Sequence, residues 1–319
     1  MADDKVIIEV ALNENQMRTA NPNVPYSPEE IAAAARQCYE AGAAVVHFHG
    51  RDGETGAPLM SDPEVSLAAQ QLIQDASPLI AYPTYGSMTK VLDWYTIGDP
   101  APERFRHFSQ GIAAGIKFEL CPVDLGAYDA NAFPSITGEN APTEAILINT
   151  GADQSWIGRF AKTHELTPTF ALFDTRHVRN LKNMVRWGLA PERPVVKLFL
   201  NGFDAPLSED LRMLTYYLDL MKDLFPTTPS WMPVVAGRDQ LPMAAVGASL
   251  GGHVRVGLGD FDYGARSAPT NAQLVESVVR LAREIGREPA SPDEARAIWN
   301  VRPSQAATVL SGARLAEQA

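Results

Sequence analysis

Apolar, β-branched segments alternate with amphipathic segments from one end of the chain to the other. The apolar segments are nearly continuous in hydrophobic residues, which is typical of strands that are covered on both faces. The eight predicted strands are Val6–Leu12, Ala44–His49, Pro78–Tyr82, Lys117–Val123, Thr169–Asp174, Val195–Leu200, Trp231–Ala236 and Val254–Leu258. This alternation predicts an α/β fold with a parallel sheet, either closed into a barrel or doubly wound.

The amphipathic segments begin with residues that cap helices. Ser27 is followed by Pro28 and two glutamates, which predicts a helix over Ile31–Ala41 that stops at Gly42. Two further helices are predicted in the same way: Leu211–Phe225, opened by Ser208-Glu209-Asp210, and Ala272–Ile285, capped by Asn271.

Length and glycine pattern decide between the two sheet architectures. No G-x-G-x-x-G follows the first strand, so a dinucleotide-binding doubly wound sheet is disfavoured. A chain of 319 residues with 45% hydrophobic content fits a (β/α)8 TIM barrel, and we predict one such domain over residues 1–319. Long irregular stretches at 86–102 and 126–143 predict extended βα loops on the catalytic face, and a helical extension is expected at the C-terminus.

Net charge limits the classes of binding partner, and cysteine content indicates the redox compartment. The net charge of -11 disfavours nucleic acid and anionic membranes as partners, although it allows a small anionic substrate. Cys38 and Cys121 form no disulfide framework and fit a reducing cytoplasm. The N-terminus has no signal-peptide pattern, and no apolar run has the length of a membrane span.

The second predicted strand carries two histidines, His47 and His49, in the run Val45–Asp52. Side chains two residues apart lie on the same face of a strand, so the pair can hold one metal ion at the carboxyl end of a barrel strand. The alternative is two core histidines, each bonded to a backbone partner.

The last predicted strand carries Arg255 among apolar residues and is followed by Asp260. A buried arginine needs a carboxylate or an anionic ligand, and catalytic groups of barrels lie at the carboxyl ends of strands. These two residues are therefore candidate catalytic groups, and a purely structural ion pair is the alternative.

Three ordered motifs together carry a resemblance to a known family. They are Asn21–Glu30, Ala41–Asp52 and Gly251–Gly257, with looser similarity through Pro269–Val275, Gly286–Glu288 and Asp293–Arg296. With these motifs the chain resembles the β-keto acid cleavage enzymes, the family of 3-keto-5-aminohexanoate cleavage enzyme. The resemblance covers nearly the whole chain.

The resemblance implies a zinc-binding TIM barrel that is a homotetramer and condenses a β-keto acid with acetyl-CoA, releasing acetoacetate and a new acyl-CoA. It implies that His47 and His49 are zinc ligands, and that Arg255 and Asp260 are the arginine and the acid that act on the ketone substrate. Such a Zn²⁺ ion would polarise the β-keto oxygen, Asp260 would take a proton, and Arg255 would offset negative charge.

One position departs from the family pattern. The pattern Arg-Val-Gly-x-Glu-Asp has its glutamate as the third zinc ligand, and here Gly259 stands at that place. Glu9, an unusual carboxylate in the apolar first strand, is the favoured substitute, because strands one and eight are neighbours in a closed barrel. Glu14, water, or the loss of the metal are the alternatives, and a Glu9 that only pairs with Arg255 is the structural explanation.

Substrate contacts are expected from four other residues: Thr84, Glu14, Gln16 and Asp124. Thr84 offers a hydroxyl at the end of the third strand, where a plain turn is the alternative. Gln16 falls near a substrate-contacting acid of the family, and Asp124 ends the fourth strand, where helix capping is the alternative.

Two other functions compete with β-keto acid cleavage. One is a zinc-dependent lyase or hydrolase on the same barrel that uses no CoA, because a fold does not fix a reaction. The other is a barrel that has lost its metal and serves as a binding or scaffold protein.

Overall fold

The fold is taken from a computed structural model that describes residues 5–86, 88–90, 99–129, 145–200 and 207–301. The strands are β1 (Lys5–Val6), β2 (Ile8–Ala11), β3 (Val45–Phe48), β4 (Ile80–Pro83), β5 (Met88–Lys90), β6 (Leu120–Asp124), β7 (Ala127–Asp129), β8 (Ala145–Ile148), β9 (Thr167–Leu172), β10 (Val195–Phe199), β11 (Ser230–Val234), β12 (Val254–Val256) and β13 (Glu288–Pro289). The helices are α1 (Pro28–Ala41), α2 (Pro63–Ala76), α3 (Ala101–Arg104), α4 (Arg106–Ala113), α5 (Gly151–Thr163), α6 (Arg176–Arg186), α7 (Leu207–Leu224), α8 (Leu241–Ser249), α9 (Asn271–Glu284) and α10 (Pro292–Trp299), with a 3₁₀ turn at Gly264–Arg266.

Eight parallel strands form the barrel, in chain order β2, β3, β4, β6, β9, β10, β11 and β12. Hydrogen bonds join them into two halves, β12-β2-β3-β4 and β11-β10-β9-β6. The halves meet where β4 lies beside β6, and where the His253 N–H donates to the Trp231 carbonyl over 2.8 Å. The predicted TIM barrel is confirmed, and each predicted strand overlaps one barrel strand.

The barrel interior changes character along its axis. Its amino end is apolar and is filled by Ile7, which directly precedes β2, and by side chains from five other strands: Val45, Ile80, Leu120, Val195 and Met232. Two residues further along three of these strands, the inward positions hold Glu9, His47 and Lys197, all buried. The other two apolar clusters lie outside the barrel wall, between the strands and the helices.

The helix caps follow the sequence with two exceptions. Ser208 was expected to open its helix, but it lies inside α7, which begins at Leu207. Ser27 and Glu30 form a capping box at the start of α1, and Gly42 ends it at φ 111°. Asn271 was expected to cap α9, but Thr270 is the cap. The Asn271 side chain instead accepts from the Leu258 N–H (2.8 Å) and donates to the Leu12 carbonyl (2.9 Å), because its buried amide links β12 to β2.

The two predicted long loops lie partly outside the described residues, which leave out 87, 91–98 and 130–144. Their described parts supply β5 and β7, which pair with β8, the strand just after the second loop, in a small antiparallel sheet of order β5-β8-β7. At the other end, α10 covers the amino end of the barrel, where the Trp299 indole donates to Ser230 Oγ over 3.0 Å. Among the described helices, none is long and apolar enough to cross a membrane.

Candidate metal centre and active site

Glu14, His47 and His49 come together at the carboxyl end of the barrel. One ligand atom from each lies within 4.8 Å of the others. His47 Nε2 is 3.4 Å from Glu14 Oε1, and His49 Nε2 contacts Glu14 Oε2. Both imidazoles are buried, and the carboxylate is half-buried. The two histidines therefore share a face of β3 and its extension, as their spacing predicts, and a carboxylate completes a group of three.

The backbone that follows β2 brings Glu14 to the histidines. Asn13 bridges to His49 with both ends of its amide, accepting from the His49 N–H (2.9 Å) and donating to the His49 carbonyl (3.0 Å). Glu14 then turns the chain at φ 36°, a left-handed conformation that costs free energy for a residue with a side chain. A Cβ at Gly259 would lie 2.4 Å from Glu14 Cγ. The missing side chain at position 259 thus leaves the space that Glu14 occupies.

Glu9 was expected beside the histidines, and the structure places it elsewhere. It is fully buried and faces inward from β2, where its Oε1 is 2.9 Å from Arg255 Nη1 and 3.3 Å from Lys197 Nζ. The physical reason is register, because Glu9 pairs with Arg255 across the β2–β12 ladder. Glu14, five residues later, is the carboxylate that reaches the two histidines at the carboxyl end.

Arg255 and Asp260 form a two-bond pair directly beside the metal group. Arg255 Nε and Nη2 donate to the two Asp260 oxygens over 2.8 and 2.9 Å. The same Nη2 donates to Glu14 Oε1 over 2.5 Å, so the pair is bonded to the group of three. Arg255 and Asp260 are both buried, at 4% exposure each. This geometry gives the buried arginine the carboxylate partner that its burial requires.

Burial and charge act in opposite directions on these groups. Burial lowers the pKa of His47 well below its ordinary value, although the Glu14 carboxylate opposes the shift. Burial alone would raise the pKa of Glu14, but His49, His47 and Arg255 outweigh it and hold the pKa well below the usual range. Burial raises the pKa of Asp260 despite the Arg255 guanidinium, which is the direction that favours a proton acceptor.

The donor set fits a zinc ion. Two imidazole nitrogens and a carboxylate oxygen are the usual three protein ligands of a catalytic zinc site, with the fourth position open. Ligands at roughly 2.0–2.2 Å around a tetrahedral ion lie about 3.4 Å apart, close to the His47–Glu14 separation of 3.4 Å. The His47 Nδ1 lies 3.2 Å from the Tyr82 carbonyl, and a hydrogen bond there leaves Nε2 free for a metal.

The other predicted contacts lie around this centre. Asp124 ends β6, and burial raises its pKa to about 6. Its backbone N–H donates to the Tyr85 hydroxyl over 3.0 Å. Thr84 is buried just after β4, and its hydroxyl lies 3.5 Å from the Tyr85 carbonyl. Gln16 donates to the Gly259 carbonyl over 3.4 Å, so its amide bridges the loops that follow β2 and β12.

Sequence reasoning missed Lys197 and Tyr82. Lys197 is buried in β10 at 3% exposure, contacts Glu9 and donates to the Tyr82 hydroxyl. Burial lowers its pKa, and Glu9 only partly opposes the shift. The signal was available, because Lys197 interrupts the apolar run Val195–Leu200 just as Glu9 interrupts the first strand.

Comparison with known proteins identifies the family of this chain. The model of the beta-keto acid cleavage enzyme family matches residues 5–301. The chain belongs to the beta-keto acid cleavage enzyme family. It is 29% identical over 304 residues to the 3-keto-5-aminohexanoate cleavage enzyme of Acetoanaerobium sticklandii, covering 93% of this chain and 99% of that enzyme. It is 28% identical over 296 residues to the 3-oxoadipate:acetyl-CoA acetyltransferase of Cupriavidus necator, covering 92% and 93%.

Solved structures agree on the fold of this cleavage-enzyme family member. The apo structure of ObcA matches with a TM-score of 0.67 at 16% identity. That match covers 88% of this chain but only 66% of the longer ObcA chain, and it bears on the fold alone. The family resemblance inferred from the three motifs is confirmed, and with it the assignment of the chain as an enzyme.

Proposed function

We propose that this enzyme is zinc-dependent and condenses a β-keto acid with acetyl-CoA, giving acetoacetate and a new acyl-CoA. The reaction balances as R–CO–CH₂–COO⁻ plus CH₃–CO–SCoA giving CH₃–CO–CH₂–COO⁻ plus R–CO–SCoA. The observation that carries the proposal is the group Glu14, His47 and His49 bonded to the Arg255–Asp260 pair. Relatives named as acetyl-CoA transferases of β-keto acids support the substrate classes.

The roles of the residues follow from their chemistry. His47, His49 and Glu14 would hold the zinc, which when bound supplies a Lewis acid for the β-keto oxygen. Asp260 accepts a proton from the carbon next to the ketone, and its raised pKa suits that task. Arg255 holds Asp260 in place and offsets the negative charge that develops on the substrate. We assign Glu14 to the metal in place of Glu9.

Thr84, Gln16 and Asp124 are proposed to surround the substrate. Asp124 is the strongest of the three, because its carboxylate stands at the carboxyl end of a barrel strand with a pKa of about 6. Gln16 already spends its amide on the Gly259 carbonyl, so its part is to shape the pocket wall. A homotetramer and a cytoplasmic location complete the proposal, supported by the family resemblance and by the buried free thiols Cys38 and Cys121.

The test is a product assay with a panel of β-keto acids. Zinc-loaded protein is mixed with each acid and acetyl-CoA, and acetoacetate and acyl-CoA are measured by mass spectrometry. Both products should form in equal amounts and only with acetyl-CoA present. Turnover of a β-keto acid without acetyl-CoA would instead support the lyase or hydrolase.

Metal content tests the same proposal independently of the substrate. Protein purified without added metal should contain one zinc per chain, and His47→Ala should lose both the zinc and the activity. His253→Ala is the matched control, because His253 is equally buried but lies at the amino end, where its Nδ1 accepts from the Ile7 N–H. A His47→Ala variant with full zinc and normal turnover would contradict the proposed zinc site, whereas wild-type protein with neither zinc nor turnover would support the scaffold alternative.

A further inference from the structure

Arg51 is a buried arginine that makes no ion pair among the described residues. It is 1% exposed and lies two residues after His49. Its Nε donates to the Gly56 carbonyl over 2.8 Å, and its Nη2 lies 3.1 Å from Met17 Sδ. A charged group taken out of water costs free energy unless hydrogen bonds compensate it, so the use of these donors needs an explanation.

The remaining donor of the guanidinium points at one short turn. Arg51 Nη1 lies 3.4 Å from the Asn13 carbonyl and 3.3 Å from the Glu14 carbonyl, and it also donates to the Gln16 carbonyl. The Arg51 Cζ also lies over the Tyr26 ring, 4.6 Å from its centroid, in a cation–π contact. Residues 13–16 are therefore gathered around a single cation.

That turn is the one that carries Glu14. Its backbone is left-handed at Glu14, with φ 36°, a conformation that is unfavourable for a residue with a Cβ. Such a turn persists only where the surroundings hold it. Asn13 holds the side of the turn that faces His49, and Arg51 holds the carbonyls on the other side.

We propose that Arg51 is a positioning residue for Glu14: it holds the turn at residues 13–16 so that the carboxylate lies between His47 and His49. The inference rests on the metal site of the proposed function, and it goes beyond that site in assigning Arg51 a task. Among the described residues, Arg51 bonds to the Glu14 backbone carbonyl and to no ligand atom of the metal group or side chain of the Arg255–Asp260 pair, so it acts through the backbone of Glu14. Replacing Arg51 should therefore lower metal affinity by more than it lowers the stability of the fold.

The test compares zinc affinity in Arg51→Lys and in Arg287→Lys, measured by competition with a chromophoric chelator. Arg287 is a matched control, because it is also buried and donates to backbone carbonyls, those of Ala248 (2.8 Å), Gly252 (2.6 Å) and Lys5 (2.6 Å), at the amino end of the barrel. Lysine keeps the charge at both positions but loses the planar fork. Zinc affinity should fall about tenfold or more in Arg51→Lys and stay unchanged in Arg287→Lys.

A double variant separates positioning from other effects. If Arg51 acts through Glu14, adding Arg51→Lys to Glu14→Gln should lower zinc affinity no further than Glu14→Gln does alone. Additive losses, equal losses in both arginine variants, or an Arg51→Lys variant that fails to fold would each overturn the inference. If instead wild-type protein binds no zinc, or His47→Ala keeps it, the proposed metal site itself is wrong.

Discussion

The amino and carboxyl ends of the barrel are built from the same eight strands, but one end has an apolar interior and the other a charged one. At the amino end, Ile7, Val45 and Met232 form a dry cluster that Trp299 covers. At the carboxyl end, the inward positions hold Arg255 with three carboxylate partners, among them Asp260. The first arrangement gains stability from apolar burial, and the second must compensate the desolvation of several ions.

The difference teaches where function lies in this chain. A network of buried ions is rarely more stabilising than apolar packing of the same volume, so its stability contribution is a weak reason for it to exist. Even the buried histidines differ: His253 at the amino end has one hydrogen-bond partner from the backbone, whereas His47 and His49 share a carboxylate. The amino end is built for stability and the carboxyl end for chemistry.

The largest expected effect breaks the carboxyl end at Asp260. Asp260→Asn keeps the size of the side chain and removes the proton acceptor, so turnover should fall on the order of 10²-fold or more. Thermal unfolding and steady-state kinetics measure the two properties separately. Met232→Ala at the amino end should instead lower the free energy of unfolding by about 2–5 kcal/mol and leave KM unchanged. An Asp260→Asn variant that unfolds would show that the ion pair is structural.

The next effect sharpens the comparison within the carboxyl end, because Glu14 and Gly259 compete for one space. Glu14→Gly should weaken zinc binding about tenfold or more, since two histidines alone make a poor site. Adding Gly259→Glu should restore part of the affinity by moving the ligand to the neighbouring strand. Gly259→Glu alone should be harmful, because its Cβ would lie 2.4 Å from Glu14 Cγ.

Glu9→Gln is the control for this exchange. Glu9 faces Arg255 and Lys197, so its loss should lower stability and leave zinc affinity close to that of the wild type. The measurement is again chelator competition, with thermal unfolding in parallel. If Glu9→Gln abolishes zinc binding while Glu14→Gly retains it, the third ligand is Glu9 after all.

The sequence predicted the barrel because the barrel depends on local patterns. Eight buried strands and the Ser27 cap can each be recognised within about ten residues, and the structure bears them out. The spacing of His47 and His49 fixes a shared face in the same local way. Motif order then predicted the family, which the match over residues 5–301 confirms.

The sequence favoured Glu9 as the partner of the histidines and left Glu14 as an alternative, because the choice depends on the path of the chain after β2. From sequence, Glu9 is the conspicuous carboxylate, since it interrupts an apolar run. Strand register places Glu9 opposite Arg255, and a left-handed turn directs Glu14 towards the histidines. Asn13 bonds to His49, and Arg51 bonds to the turn that carries Glu14, in each case across more than thirty residues of chain. No local sequence pattern reveals contacts of this kind.

The smallest effect concerns His253 and appears only in acid. Burial, with help from Arg287 and Arg193, lowers the pKa of His253 from 6.5 to about 3, so the folded protein keeps the ring neutral where the unfolded chain protonates it. The unfolded state then binds more protons, and stability should fall as the pH drops from 6.5 towards 3, by at most about 1.4 kcal/mol per pH unit for one group. His253→Gln should flatten this fall, measured by urea unfolding across the range. His107→Gln is the comparison from the carboxyl half. Burial lowers the pKa of His107 to about 4, so its contribution to the fall in stability should end about one pH unit above that of His253. A His253→Gln variant with the wild-type slope between pH 4 and pH 3 would show that another group carries the acid sensitivity of the amino end.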